Sequence, residues 1–382
     1  MSAVESQASD LLPHSDVAFR SEVRAWFISN PPPAPRQHTV GVREDFDGDS
    51  VTRLRRWRKA LAEAGLSGVA WPREYGGRDA TATQQLIFHE EHQRAGGLGS
   101  ELFFVGISHA GPTLIEHGTD EQRRKWLPGI LDGSIIFAQC FSEPGAGSDL
   151  AAISTTGMVD GDSLVISGEK RWSTHAQHAD LCELLVRTDP SDRYGGLTYL
   201  IADLRTPGIT VRPIRTITGA AEFCEVFFDE ARIPLDNVVG QLGDGWKVAT
   251  TTLMHERSTA FAATIIGLER LVDELAVVCA GDAVRTRQVS DFRGDVFAVR
   301  ALLYKSVSEQ QNAGQPGPAS NALKLIATEL NHKIQRFATS VSPAALCDYF
   351  ESFGLRIGGG TSEIQRNIIA ERILGLPKEP RR

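Results

Sequence analysis

Gln139-Cys140-Phe141-Ser142-Glu143-Pro144-Gly145-Ala146-Gly147-Ser148-Asp149 follows directly on the apolar run Ile135-Ile136-Phe137-Ala138. The run reads as a β-strand, and the segment after it as a turn through Pro144, Gly145 and Gly147 with hydroxyls at Ser142 and Ser148. Such a loop exposes backbone N–H groups and lets a flat or phosphorylated ligand come close to the main chain. Further on, Lys170-Arg171-Trp172-Ser173-Thr174 sets an indole and a hydroxyl at the end of a second predicted strand. Taken singly, each piece has a plainer reading: a Pro-Gly-Ala-Gly turn is usually only a turn, and a strand Trp is usually core. Taken together, an aromatic wall, hydroxyl donors and a Gly-rich cradle are the parts of a flavin site.

The chain has 382 residues, enough for a large core and for two or three domains. A net charge of −8 gives no basic face for nucleic acid. No apolar run is long enough to span a bilayer, and the stretch Met1 to Asp10 lacks the basic and apolar regions of a signal peptide. The five cysteines are scattered singly, without metal-ligand spacing, so no metal site is expected. An odd count in so long a chain predicts reduced thiols and a cytoplasmic location.

Periodicity divides the chain in three. Up to about residue 133 it reads as helices, with amphipathic segments at Val17 to Ser29, Thr52 to Ala64 and Thr83 to Ala95. From about Ile135 to Gly240, short β-branched or aromatic runs (Leu164 to Ser167, Leu184 to Arg187, Leu197 to Ile201, Val226 to Phe228) alternate with turn signals. From Trp246 the chain is helical again, the longest segment running from about Gly245 to Ala280. The predicted fold class is α+β, with domains at 1–133 (helical), 134–241 (antiparallel β) and 242–382 (helical bundle).

Several further segments fall in order along the chain: Gly68 to Gly77, Gly111 to Arg123, Phe227 to Pro234, Gly243-Asp244-Gly245-Trp246 and Gly360 to Gly375. With Ser142 to Asp149, they make this chain resemble the acyl-CoA dehydrogenase family along nearly its whole length. The resemblance implies an N-terminal helical domain, a middle antiparallel β-domain and a C-terminal four-helix bundle, with FAD as cofactor. It also implies α,β-dehydrogenation of an acyl-CoA to the trans-2-enoyl-CoA, a carboxylate taking the α-proton and the flavin taking the β-hydride. By the resemblance Gln139, Phe141, Ser142, Gly147 and Ser148 line the flavin, with Ser148 also near the pantetheine arm. Trp172, Ser173 and Thr174 face the ring system. Thr361, Ser362 and Glu363 open a predicted helix whose first N–H groups suit the cofactor phosphates.

The base departs from the commonest family pattern. Most members carry Glu immediately before Gly-Thr-Ser; here that residue is Gly359, within Gly358-Gly359-Gly360. A minority place the carboxylate on the long helix before an Arg, and this chain has His255-Glu256-Arg257 there. Glu256 is therefore the candidate base, although a helical Glu more often faces water. His255, Arg257, Gly359, Gly360 and Ser148 are the candidate substrate contacts. The missing side chains at Gly358 and Gly359 point to a branched or polycyclic acyl group. The Glu256-Arg257 placement and the tail from Ala370 to Pro380 resemble bacterial members of the family, which implies a bulky acyl-CoA such as one with a sterol side chain. The family's Arg-x-x-Phe-Gly and Gln-x-x-Gly-Gly-x-Gly segments, which reach a neighbouring subunit's FAD, have no counterpart here. A homo-oligomer and a hetero-oligomer, such as a two-plus-two heterotetramer, both stay open. The expected electron acceptor is an electron-transfer flavoprotein. A flavin oxidase or monooxygenase on the same fold, and a structural subunit of a heteromeric dehydrogenase, are the alternatives.

Overall fold

Helix signals at Ala82–Arg94 and Asp120–Asp132 show how local chemistry sets the elements. Each helix is preceded by a threonine, Thr81 or Thr119, in a reciprocal capping box with the Gln three residues on. The computed structural model describes residues 13–33, 38–39, 42–43, 45–97, 101–255, 261–314 and 317–378. Contacts divide the chain into two compact units that do not follow chain order. One comprises Met1–Pro35, Val69–Leu98 and Arg257–Arg382; the other comprises Arg36–Gly68 and Gly99–Glu256.

The first unit is helical. Its elements are α1 (His14–Ser29), α3 (Ala82–Arg94), α7 (Phe261–Val278), α8 (Ala283–Ala313), α9 (Pro318–Thr339), α10 (Leu346–Ile357) and α11 (Ser362–Ile368). Its core interleaves Leu86 of α3, Ile265, Leu268 and Val272 of α7, Phe292, Val296 and Val299 of α8, and Leu323, Ala327 and Ile334 of α9. Along α7 and α8 these positions recur every three or four residues, and along α9 after four and then seven, the spacing of one buried stripe. The buried carboxylates of Glu90 and Glu91 on α3 are met by Arg20, Arg24, Arg94 and Arg300, which joins α1 and α8 to the same helix.

The second unit holds α2 (Gly48–Glu63), α4 (Gly111–His117), α5 (Asp120–Asp132), α6 (Gly245–His255) and a seven-stranded sheet. The strands are β1 (Phe137–Cys140), β2 (Thr156–Asp160), β3 (Ser163–Thr174), β4 (Leu181–Arg187), β5 (Leu197–Asp203), β6 (Ile209–Ile214) and β7 (Phe223–Pro234). They run in the order β1-β4-β2-β3-β7-β6, with β5 pairing β4. Most pairings are antiparallel, as expected; β1 with β4 and the single Thr156–Arg187 pair of β2 with β4 are parallel. Two strands, β2 and β6, escape the sequence reading because their residues are mostly exposed or half-buried and carry no apolar run. The long helix expected from Gly245 to Ala280 is described as α6 and α7, with residues 256–260 between them outside the described residues. Among the described residues no helix is long and apolar enough to cross a membrane.

Candidate cofactor and active site

The loop after β1 is locked from beneath by a buried ion pair. Glu143 accepts from Lys170 Nζ at 2.8 Å, from the Ser154 N–H and hydroxyl at 2.7 and 2.8 Å, and from the Thr155 N–H at 2.9 Å. Lys170, fully buried on the inward face of β3, also donates to the Phe141 carbonyl at 3.1 Å. Burial alone pushes the Glu143 carboxyl up. The Lys170 ammonium and the donors on Thr155 and Ser154 outweigh burial and hold it at about 2. Glu143 and Ala146 exchange backbone hydrogen bonds of 3.0 and 3.1 Å, closing the turn.

With its inner side committed, the loop turns Pro144, Gly145, Gly147 and Ser148 outward, all exposed, while Ser142 is half-buried. A Cβ built at Gly145 or Gly147 would meet nothing within 4 Å. Neither has a positive φ. The protein's own packing therefore does not demand glycine there. What the two glycines do is leave an open face in which a side chain would stand.

Beside this loop, β3 slips register against β7 between Arg171 and Ser173. The bulge places Trp172 at a φ of +67° and leaves it 53% exposed. A tryptophan at positive φ is strained, and an exposed indole at a strand end forgoes burial, so the bulge spends stability to aim the ring outward. Its ring meets Phe223 edge-on at 5.9 Å and the Arg171 guanidinium at 5.2 Å. The Arg171 N–H donates to the Ser142 carbonyl at 2.8 Å, binding the bulge to the loop. After the bulge Ser173 points inward, its hydroxyl 3.4 Å from Cys140 Sγ, and Thr174 is exposed. An open glycine face, an outward indole and exposed hydroxyls suit a flat, polar, phosphorylated group such as FAD.

Gln139 and Phe141 turn into the sheet. The Gln139 amide donates to Glu183 at 2.7 Å and lies 3.3 Å from the His109 ring. The Tyr199 hydroxyl donates to the same fully buried carboxylate at 2.7 Å. Burial first, and Glu183 second, push the Tyr199 phenol well up. Phe141 packs edge-on against Tyr199 at 5.9 Å. Glu143, Lys170 and Glu183 were not singled out from sequence, yet the signal was there. Lys170 shares strand parity with Leu164 and Ile166, and Glu183 interrupts the apolar run Leu181 to Val186. A charge at an inward strand position needs a partner.

In the helical unit, Gly359 and Gly360 have φ of +65° and +90°. Thr361 caps α11, its hydroxyl accepting from the Ile364 N–H at 3.2 Å. Ser362 is buried and donates to Glu329 at 2.6 Å, while Glu363 is exposed. His255 ends α6. Glu256 and Arg257 lie outside the described residues. No cluster of potential metal ligands exists among the described residues.

Comparisons with known proteins place these features in one family. The N-terminal, middle and C-terminal domain profiles of acyl-CoA dehydrogenases match residues 14–134, 138–231 and 243–374. The acyl-CoA dehydrogenase IpdE1 of Mycobacterium tuberculosis is 38% identical, over 94% of this chain and 98% of its own length. Among solved structures, the Tcur3481-Tcur3483 steroid ACAD superposes with a TM-score of 0.83 at 32% identity, over 96% of this chain and 99% of that one. The ChsE4-ChsE5 complex of Mycobacterium tuberculosis gives 0.79 at 29% identity, again over 96% and 99%.

The ion pair under the cradle has a measurable signature. Lys170→Met leaves the Glu143 carboxylate buried without its cation and should cost the β-rich unit roughly 3–5 kcal/mol, read as a lower urea midpoint. In the native protein Glu143 titrates at about 2 instead of 4.5. Its contribution is therefore fully present above pH 4.5 and is lost as the pH falls toward 2. The stability gap between wild type and Glu143→Gln should be open at neutral pH and close across that acid range. A gap that does not change with pH would contradict the assignment.

Proposed function

This chain belongs to the acyl-CoA dehydrogenase family and is an oxidoreductase of that class, and from that premise we propose that it binds FAD and converts a bulky or branched acyl-CoA to its trans-2-enoyl thioester. The observation that carries the reading is the cradle itself: an outward Trp172 on a strained bulge beside an open Gly145–Gly147 face. Neither feature stabilises the fold, and an idle subunit has no need of them. When bound, FAD supplies the acceptor for the substrate's β-hydride.

Ser142, Gly147, Ser148, Trp172 and Thr174 hold and flank that cofactor, with Gln139, Phe141 and Ser173 fixing the floor beneath. Thr361, Ser362 and Glu363 serve its phosphate end. Glu256 takes the α-proton, with His255 and Arg257 beside it. Gly359 and Gly360 belong to the substrate contacts, in a glycine loop that can offer a backbone N–H to the thioester oxygen, where negative charge develops as the proton leaves. An added Cβ at Gly358 would meet only the Gly354 carbonyl, at 3.6 Å, and Gly359 is exposed. No side chain narrows the site at either position, which supports a branched or steroid-derived acyl group. Five buried free thiols support a cytoplasmic location. An electron-transfer flavoprotein is the proposed electron acceptor.

Adding a branched or steroid-derived acyl-CoA anaerobically should bleach the flavin's visible absorbance. Glu256→Gln should keep the flavin and lose roughly 10²–10⁴-fold in the bleaching rate. Unchanged bleaching in that variant would remove Glu256 from the role, and peroxide formed in step with turnover would favour an oxidase.

Gly147→Val tests the cradle separately. The new Cβ meets nothing within 4 Å, so the melting temperature of the flavin-free protein should hold while flavin content falls severalfold. Full flavin content would place the cofactor elsewhere.

The two steroid-ACAD and ChsE neighbours are each named as pairs of chains, and this chain lacks the family's segments for reaching a neighbour's FAD. That combination supports a hetero-oligomer with fewer flavins than chains. Co-purified with its partner, the protein should hold less than one FAD per chain by absorbance; one per chain in the protein alone would support a homo-oligomer instead.

A further inference from the structure

The glycine loop of the helical unit is gripped from behind by two buried side chains. Gln365 of α11, 0% exposed, donates Nε2 to the Gly359 carbonyl at 3.2 Å. Lys324 of α9, 3% exposed, donates Nζ to the Gly360 carbonyl at 2.7 Å. The C=O of one residue and the N–H of the next point in opposite directions across a trans peptide, and the described chain has no cis bond. Drawing the Gly359 carbonyl onto Gln365 therefore turns the Gly360 N–H away from that side chain. Drawing the Gly360 carbonyl onto Lys324 does the same to the Thr361 N–H. Neither N–H donates to an acceptor among the described residues.

The grip has features that stability alone does not explain. Gln365 Oε1 is buried without a hydrogen-bond partner among the described residues, an arrangement that costs stability. Turning the amide over would not relieve it, because Oε1 would then face the Gly359 carbonyl, acceptor against acceptor. A Cβ at Gly360 would lie 2.9 Å from Gln365 Nε2, so a side chain there would push the amide off the loop. The next residue is tied as well. Ser362 donates to Glu329 of α9 at 2.6 Å, and Arg356 forms an ion pair with the same Glu329 oxygen, its Nε 3.1 Å away. The loop carbonyls are thus fixed by a charge-assisted bond and a neutral one, while the Gly360 and Thr361 N–H groups have no acceptor among the described residues.

We propose that Lys324 and Gln365 are positioning residues that aim the Gly360 and Thr361 N–H groups, as a backbone pair, at an oxygen carrying or developing negative charge. That oxygen belongs to the acyl thioester or to a cofactor phosphate. The proposal rests on the dehydrogenase reading above. Neither side chain touches the reacting atoms; each acts through a peptide plane.

The test compares wild type, Gln365→Leu, Lys324→Met and Lys324→Arg for melting temperature, FAD dissociation constant, and kcat and KM with an acyl-CoA that wild type oxidises. Gln365→Leu should melt at or above wild type, because it removes the unpaired buried acceptor. It should nevertheless lose roughly tenfold to a hundredfold in function. A loss in kcat with KM held assigns the thioester oxygen; a loss in FAD affinity assigns the phosphate. Lys324→Met should follow the same pattern, and Lys324→Arg should recover part of it, since a guanidinium can still donate to the carbonyl. Wild-type kcat and FAD affinity in Gln365→Leu and Lys324→Met would overturn the proposal, as would losses that merely track falling melting temperatures. The measurements use the protein co-purified with its partner subunit where it has one; a wild-type complex that neither holds FAD nor oxidises any acyl-CoA would bring down the dehydrogenase reading, and this proposal with it.

Discussion

A buried ammonium–carboxylate pair, Lys170 with Glu143, is the interaction on which the candidate site depends. A loop with two glycines and outward-facing hydroxyls has much conformational freedom to lose. Glu143 offsets that loss by drawing the loop's inner side onto β3, where its oxygens also take the Ser154 and Thr155 donors. An ion pair in an apolar interior holds only when its remaining hydrogen-bonding capacity is met. Here it is met from two chain segments, Ser154-Thr155 for the carboxylate and Phe141 for the ammonium. The result is directional: Glu143 and Ala146 are buried while Pro144, Gly145, Gly147 and Ser148 stay exposed.

The bulge at Trp172 depends on the same anchor. Lys170 is fixed inward, and Arg171 is tied by its N–H to the Ser142 carbonyl. The extra residue of the bulge then has nowhere to go but outward. The positive φ of Trp172 and its exposure are unfavourable singly, and they persist because the residues on either side are over-determined.

The helical unit uses the same device with different residues. At Gly359 and Gly360 the carbonyls are captured by Gln365 and Lys324, as the loop after β1 is captured through Glu143. In both units the groups left for a ligand are mainly backbone N–H groups and small hydroxyls. The side chains that decide their direction are buried, charged or amide-bearing, and stand one layer behind. Substitutions in that layer would act on chemistry without touching a ligand.

Much of this was legible in the chain itself. Alternation and turn residues mark the central strands, capping threonines mark helix starts, and ordered motifs mark the family, because these signals are local or survive as strings. Trp172, Thr174 and the Gly145–Gly147 turn could be picked out for the same reason. Tertiary structure alone decided which of those side chains face out. Ser173 and Thr174 are neighbours with similar hydroxyls, yet a one-residue register slip sends the first against Cys140 and leaves the second exposed. Nor could spacing pair Glu143 with Lys170, or Gly360 with Lys324, since 27 and 36 residues separate them. Partners that far apart meet only through the packing of the elements between them, and a side chain's direction at a bulge depends on the strand beside it.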